Sequence, residues 1–238
     1  MLEIFTGVLQ GLTEFLPISS SGHLVIISSI SSDLDLNTND IAFLHIGTLF
    51  SIIFFYRKRI LVIFSNFETF TFYFKIIVTG IIPAVFVGLF TPIQDIIDGS
   101  PYLLLVTGIS YLFFSILLIF SERINKSENI GINEITIKQA FIIGLAQSIA
   151  LLPGISRSGV TLLMAIYLGV KKADAIYYSL LLGIPTIFGA WSLTFINQSF
   201  TVNADIIIPT IVAMFTGVLA IKVLISFTTT SKLQFFGF

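Results

Sequence analysis

The stretch QGLTEFLPISSSGHLVI, residues 10–26, decides how this chain is read. It lies inside a run apolar enough to enter a bilayer, yet it carries an acid, a histidine, three consecutive serines and a proline. Ionisable groups at membrane depth are costly and are by default functional candidates. Proline, serine and glycine together end a helix, and irregular backbone inside a membrane survives only when buried in protein or lining a wet cavity. The stretch therefore predicts two half-helices meeting at a break, with chemistry at the break.

The rest of the chain agrees with a membrane setting. Of its 238 residues, 55% are hydrophobic and 11% charged, and the mean hydropathy is +1.01. An ordinary soluble domain has about a quarter charged residues. The formal net charge of -1 gives no basis for nucleic-acid binding, and the lack of cysteine excludes disulfides and thiolate chemistry. The start, MLEIFTG, has no basic n-region and reads as part of the mature fold rather than a signal peptide. The 25 phenylalanines read as lipid-facing bulk and packing.

A bilayer core of about 30 Å takes roughly 20 apolar helical residues. Five stretches read as spanning helices, at 41–56, 72–91, 102–120, 173–195 and 206–226, the first short for a full crossing. Residues 2–32 and 139–169 are also apolar but are interrupted, by LPISSSG and by LPGISRSG. We read both as re-entrant helical hairpins, with a broken crossing helix as the alternative. Charge favours the hairpins. Segments 1–40, 92–101 and 197–205 then share one side and contain no Lys or Arg. Arg57, Lys58, Arg59, Lys75, Arg123, Lys126, Lys138, Lys171, Lys172, Lys222 and Lys232 fall on the other side. By the positive-inside rule that side is cytoplasmic, which puts the N-terminus outside a plasma membrane. The remaining basic residue is Arg157, in the second hairpin. Asp33, Asp35 and Asp40 read as a solvated loop cluster.

The two interrupted segments also resemble each other. GVLQGLTEFLPISSSG from Gly7 aligns with GLAQSIALLPGISRSG from Gly144, at an offset of 137 residues that one insertion, Gly154, and one deletion restore. Charge places the hairpins on opposite faces, so the fold expected is an inverted-topology repeat, in which broken helices meet near the midplane and build the site. A single transmembrane domain over 1–238 would hold repeat one at 1–121, a cytoplasmic linker at 122–138 and an incomplete repeat two at 139–238. The counterpart of helix 102–120 would begin after Phe238, so a sixth, C-terminal helix is expected to be absent from the sequence.

The polar residues of the hairpins point to one kind of ligand. Gln10 and Glu14 are four apart and share a helix face. Ser19, Ser20 and Ser21 can cap the next half-helix, with His23 in its first turn. The second hairpin places Ser156, Arg157, Ser158 and Thr161 in the matching position. Two half-helix N-termini offer free N–H groups and positive dipole ends, and Arg157 offers a planar fork of donors. Together they suit an anion with several oxygens, phosphate or diphosphate. Glu14 and Gln10 can hold Mg²⁺ or Ca²⁺ through oxygen, His23 can move a proton, and Ser20 can serve as nucleophile. Plainer readings exist: serines that only cap, a Glu14–Arg157 ion pair that only holds structure, and His45, in FLHIGTLF, as a structural histidine.

With these motifs in hand, the chain resembles the bacitracin-resistance type of undecaprenyl-diphosphate phosphatase. QGLTEFLPISSSGH at 10–23 and LPGISRSGVT at 152–161 carry the resemblance, with AFLHIGTL near His45, GIIPAVFVGL at 80–89 and SLLLGIP at 179–185 in support. It implies an integral membrane hydrolase that converts a polyprenyl diphosphate to the monophosphate and recycles a carrier lipid, with a divalent cation. The family's E/Q-x-x-x-E motif falls on Gln10 and Glu14, its serine and histidine on Ser20 and His23. Its P-G-x-S-R-S motif falls on Pro153 to Ser158, which brings Gly154, Ser156, Arg157 and Ser158, with Thr161 beyond, to the diphosphate; Ser19 joins them from the first motif. Where a glutamate is often found, two residues before the serine of SLLLGIP, this chain has Tyr177. Whether Ser20 attacks, with His23 as base, or His23 activates water directly stays open at this level. A carrier or flippase for polyprenyl phosphate is the competing function, and a homodimer is compatible with either.

Overall fold

A computed structural model of the chain describes residues 2–30, 38–121, 129–197, 204–230 and 232–238. Among the described residues ten α-helices run in chain order: α1 (Leu2–Phe15), α2 (Ser20–Ile30), α3 (Thr38–Ile63), α4 (Phe67–Phe90), α5 (Ile93–Asp98), α6 (Leu103–Phe120), α7 (Ile137–Ile149), α8 (Arg157–Tyr167), α9 (Lys172–Asn197) and α10 (Ile207–Thr229). Among the described residues there is no β-sheet, only an isolated bridge between Ile130 and Val170. This is an all-α polytopic membrane protein. Asp33 and Asp35, and residues 122–128 of the expected linker, lie outside the described residues.

Four helices, α4, α6, α9 and α10, are long and apolar enough to cross a bilayer. The helix expected at 41–56 is longer than hydropathy implied: α3 continues to Ile63 and reaches 26 residues. Its extension carries Arg57, Lys58 and Arg59, all exposed. Charge ends an apolar run but not a helix, because Arg and Lys are good helix formers. Large apolar side chains face outward, with Phe54 50%, Phe86 60%, Phe90 73% and Phe215 63% exposed, while Gln10 and Glu14 are buried. Apolar outside and polar inside is the arrangement a lipid solvent demands.

The two interrupted segments each fold as a pair of short helices lying against each other, α1 with α2 and α7 with α8. The longest of the four has 14 residues, or about 21 Å at 1.5 Å per residue, too short to cross alone. Proline explains where they stop, and the backbone explains how they turn. Ser19, with φ 59°, and Gly154, with φ 98°, take the left-handed conformation at the two breaks. For a residue with a side chain that conformation costs about 1–2 kcal/mol, so Ser19 must be held there. Ser19 Oγ accepts hydrogen bonds from Gly22 N, at 3.4 Å within its own break, and from Gly154 N, at 3.2 Å across to the other.

The packing exchanges partners between the halves. α1 packs along α10, α7 packs along α4, and α3 crosses α9. Under the offset of 137 residues, the first two are the same pairing with the halves interchanged. Gly7 and Gly144, 137 apart, occupy the tight points: a Cβ on Gly7 would overlap the Pro209 backbone, and one on Gly144 the Gly80 backbone. The described part of the linker docks on the start of α9, through Ile130 N to Gly169 O at 3.1 Å and Ile132 N to Asp174 Oδ2 at 3.2 Å. After α10 a single 3₁₀ turn, Leu233–Gly237, packs on α6, where Ser115 Oγ bonds Gly237 O.

Candidate functional site

The breaks of the two hairpins meet. Ser158 Oγ donates to Phe15 O at 3.1 Å and to Glu14 O at 3.3 Å, capping the end of α1 from the start of α8. Ser156 N-caps α8 through Gly159 N at 3.2 Å. These bonds, with Ser19 to Gly154, bring the N-termini of α2 and α8 to one polar cavity of about 200 Å³. Glu14, Ser19, Ser20, His45, Ser156 and Arg157 are among its walls.

Glu14 is the hub. Its Oε1 accepts from Arg157 Nη2 at 2.8 Å. Its Oε2 accepts from Ser20 Oγ at 2.7 Å and from Gln10 Nε2 at 3.0 Å, with His45 Nε2 at 3.5 Å. Ile41 O, an acceptor only, lies 2.8 Å from His45 Nδ1, so that nitrogen carries the proton and Nε2 is left toward the carboxylate. Separating a buried acid from its cationic partner is strongly destabilising, because it leaves an uncompensated buried charge. The Glu14–Arg157 pair thus ties the two hairpins together and also forms part of the wall of the polar cavity.

Arg157 stands between two cavities. Beside the polar one lies an apolar one of about 430 Å³, between α4, α7 and α9, with Gly88, Leu89, Leu151, Pro185 and Leu193 among its walls. Arg157, Ala150, Thr186 and Ala190 border both. Gly183 makes room for the guanidinium: a Cβ there would come within 2.5 Å of Arg157 Nη1.

Not every residue singled out from sequence reaches this cavity. His23 turns away from Ser20: its Nδ1 lies 2.8 Å from Ser19 O and 2.7 Å from the Tyr111 hydroxyl. With Tyr111 and Phe236 it lines a different cavity, of about 370 Å³. Thr161 Oγ1 donates to Arg157 O at 2.8 Å and pairs with Ser179 Oγ at 2.6 Å, which steadies the first turn of α8. Ser158 and Gly154 likewise stitch backbone. His45, read from sequence as structural, is the residue the cavity adds. Its signal was a polar side chain inside an apolar helix, in a stretch that already matched the family. Tyr111 gave no such signal, since tyrosines are ordinary in membrane helices.

Among the described residues no group of three or more His, Asp or Glu is placed to hold a metal. The oxygen donors at hand are the Glu14 carboxylate, bonded on both oxygens, and Gln10 Oε1, which is buried without a hydrogen-bond partner. That set fits an ion carried mainly by a ligand's phosphates, as Mg²⁺ often is.

Fold and site together define a polytopic membrane protein in which the breaks of two helical hairpins meet at a polar cavity beside an apolar one. The chain matches the family described as bacitracin resistance protein BacA over residues 3–238, and it belongs to that family. A protein named undecaprenyl-diphosphatase from Methanococcus vannielii is 38% identical over 246 residues, covering 100% of this chain and 95% of that protein. One of the same name from Thermosipho africanus is 38% identical over 244 residues, with the same two coverages, 100% and 95%. Another, from Halothermothrix orenii, is 37% identical over 249 residues, covering 99% of this chain and 92% of that protein.

Proposed function

We propose that this chain is an undecaprenyl-diphosphatase: it hydrolyses a polyprenyl diphosphate to the monophosphate and inorganic phosphate. The relatives' shared name supports the reaction, and one observation carries its mechanism. Ser20 Oγ donates to Glu14 Oε2 at 2.7 Å while Arg157 holds the other carboxylate oxygen at 2.8 Å. A nucleophile, a proton acceptor and a phosphate-binding cation therefore share one small cavity, with an apolar one adjoining for the prenyl tail.

Ser20 Oγ attacks the terminal phosphorus and gives its proton to Glu14. The bond between that phosphorus and the bridging oxygen breaks, and the bridging oxygen stays on the lipid as part of its monophosphate. Water then cleaves the phosphoserine, returning Ser20 and releasing phosphate. The geometry supports Glu14 over His23 as the acceptor of the Ser20 proton, since Ser20 Oγ already donates to Glu14 while His23 lines a different cavity, with its Nδ1 against Ser19 O and Tyr111. Water attacking directly, deprotonated by Glu14, uses the same cavity. The N-termini of α2 and α8 and the Arg157 guanidinium offset the charge that builds on the phosphoryl oxygens. A divalent cation, Mg²⁺ or Ca²⁺, would be held by Glu14 and Gln10; when bound it neutralises charge on the phosphates.

The wider setting follows the same reading. Repeat one at 1–121 and repeat two at 139–238 form one transmembrane domain in the plasma membrane. The site opens outward, opposite the face of Arg57, Lys58, Arg59, Lys171 and Lys172. A carrier of polyprenyl phosphate leaves the Ser20–Glu14 hydrogen bond without a use. Phosphate release from farnesyl diphosphate by the purified protein, with Mg²⁺ or Ca²⁺, is the test. The wild type should release phosphate, and Glu14→Gln should lower kcat by about a thousandfold. Lipid movement without release would favour the carrier instead.

A further inference from the structure

Gln147 is the repeat counterpart of Gln10, yet nothing described so far uses it. It is 3% exposed, and neither Oε1 nor Nε2 has a hydrogen-bond partner among the described residues. Each buried polar group left unpaired costs about 1–3 kcal/mol, and an apolar side chain at this position would avoid that. Gln147 borders the otherwise largely apolar cavity of about 430 Å³. Arg157 borders it too, and its Nη1 is a second buried donor without a hydrogen-bond partner among the described residues, because Glu14 engages Nη2. Arg157 Nη1 thus lies where the polar cavity gives way to the apolar one, and Gln147 lines the apolar one three residues before Ala150, which borders both.

A prenyl diphosphate has a polar group at that junction. With its terminal phosphate beside Ser20 and its tail in the apolar cavity, the phosphate bonded to the lipid must lie between them. We propose that Gln147 Nε2 and Arg157 Nη1 form a separate subsite for the phosphate that stays on the lipid. The inference rests on the hydrolysis reading, which makes that phosphate the retained one. The subsite makes affinity depend on a phosphate ester bearing a tail, and it holds the product after inorganic phosphate has left. Gln147 serves as a binding residue here, and the bond-breaking chemistry stays with Ser20 and Glu14.

Turnover of farnesyl diphosphate, with inhibition by farnesyl phosphate and by inorganic phosphate, separates the two phosphate positions. In Gln147→Leu the KM and the inhibition constant of farnesyl phosphate should each rise about tenfold, as expected for losing one hydrogen bond to a charged group. Inhibition by inorganic phosphate should stay as in the wild type. Thermal stability in detergent should rise, because an unpaired buried amide is gone; a merely structural glutamine would give the opposite sign. Unchanged inhibition by farnesyl phosphate, or equal weakening of inorganic phosphate, would overturn the subsite. If Gln147→Leu does not fold, Gln147→Asn, with shorter reach, is read by the same two inhibitors. A wild type that releases no phosphate would overturn the hydrolysis reading instead. Calorimetric binding of farnesyl phosphate, lost in Gln147→Leu or kept, would then still decide the subsite.

Discussion

The two hairpins share a skeleton and differ in charge. In the first, Gln10 donates to Glu14, and Glu14 accepts from Ser20 across the break. In the second, Gln147 has no hydrogen-bond partner among the described residues, the positions aligned with Thr13 and Glu14 are Ala150 and Leu151, and the charge is Arg157, at the start of the following helix. One half supplies the acid and the hydroxyl, the other the cation. A carboxylate and a guanidinium in the same break would be satisfied locally. Divided between the breaks, they can meet only when both hairpins are in place, so assembly of the fold and assembly of the site are one event.

Exchanging or removing the charges should break this division most severely. Arg157→Ala leaves Glu14 buried without its cation, which should cost about 3–5 kcal/mol and lower kcat/KM by three or more orders of magnitude. Thermal denaturation in detergent and phosphate release measure the two losses separately. The double swap Glu14→Arg with Arg157→Glu should recover much of the stability and none of the activity, since the carboxylate then lies on the wrong side of Ser20. A hydroxyl comparison is sharper. Ser20→Ala should lower kcat by about a thousandfold with stability within about 1 kcal/mol of wild type. Ser158→Ala removes bonds to the backbone of Phe15 and Glu14, and should lower the melting temperature more than the rate. Equal kinetic losses in the two would deny Ser20 its special position. The smallest effect expected is that of Tyr111→Phe, which removes a hydroxyl from Ser19 O and His23. A neutral hydrogen bond contributes about 1 kcal/mol, so a fivefold change in kcat/KM is about the most it should give. A loss as large as that of Ser20→Ala would move the proton chemistry back to His23.

Much of this was legible in the order of residues. LPISSSG and LPGISRSG mark breaks because proline, glycine and serine end helices wherever the chain goes, and Gly7 and Gly144, which the repeat aligns, both turn out to sit at tight helix contacts. Arg157 and Glu14 could be paired because each is an isolated charge at membrane depth. The Ser20–Glu14 hydrogen bond was not legible. It spans six residues across a turn whose direction depends on Ser19 taking the left-handed conformation, and no pattern of hydrophobicity encodes that dihedral. The place of His45 in the cavity wall was not legible for a related reason. Its reach to Glu14 depends on how α3 lies against α1, a matter of three-dimensional packing rather than spacing. The extra turns of α3 were missed because a scale of apolarity measures depth in lipid, not helix length.

Ser19 Oγ, bonded to an amide of its own hairpin and to one of the other, acts as a rivet through the centre of the molecule. A protein whose halves exchange equivalent helix pairings has the outline of a rocker that swings to show its middle first to one face and then to the other. With the pivot fastened, that swing would tear out the bonds that shape the catalytic corner. On the hydrolysis proposed above, the apolar cavity between α4, α7 and α9 gives a lipid a flank to enter by, with its tail kept in the bilayer and only its headgroup visiting the interior.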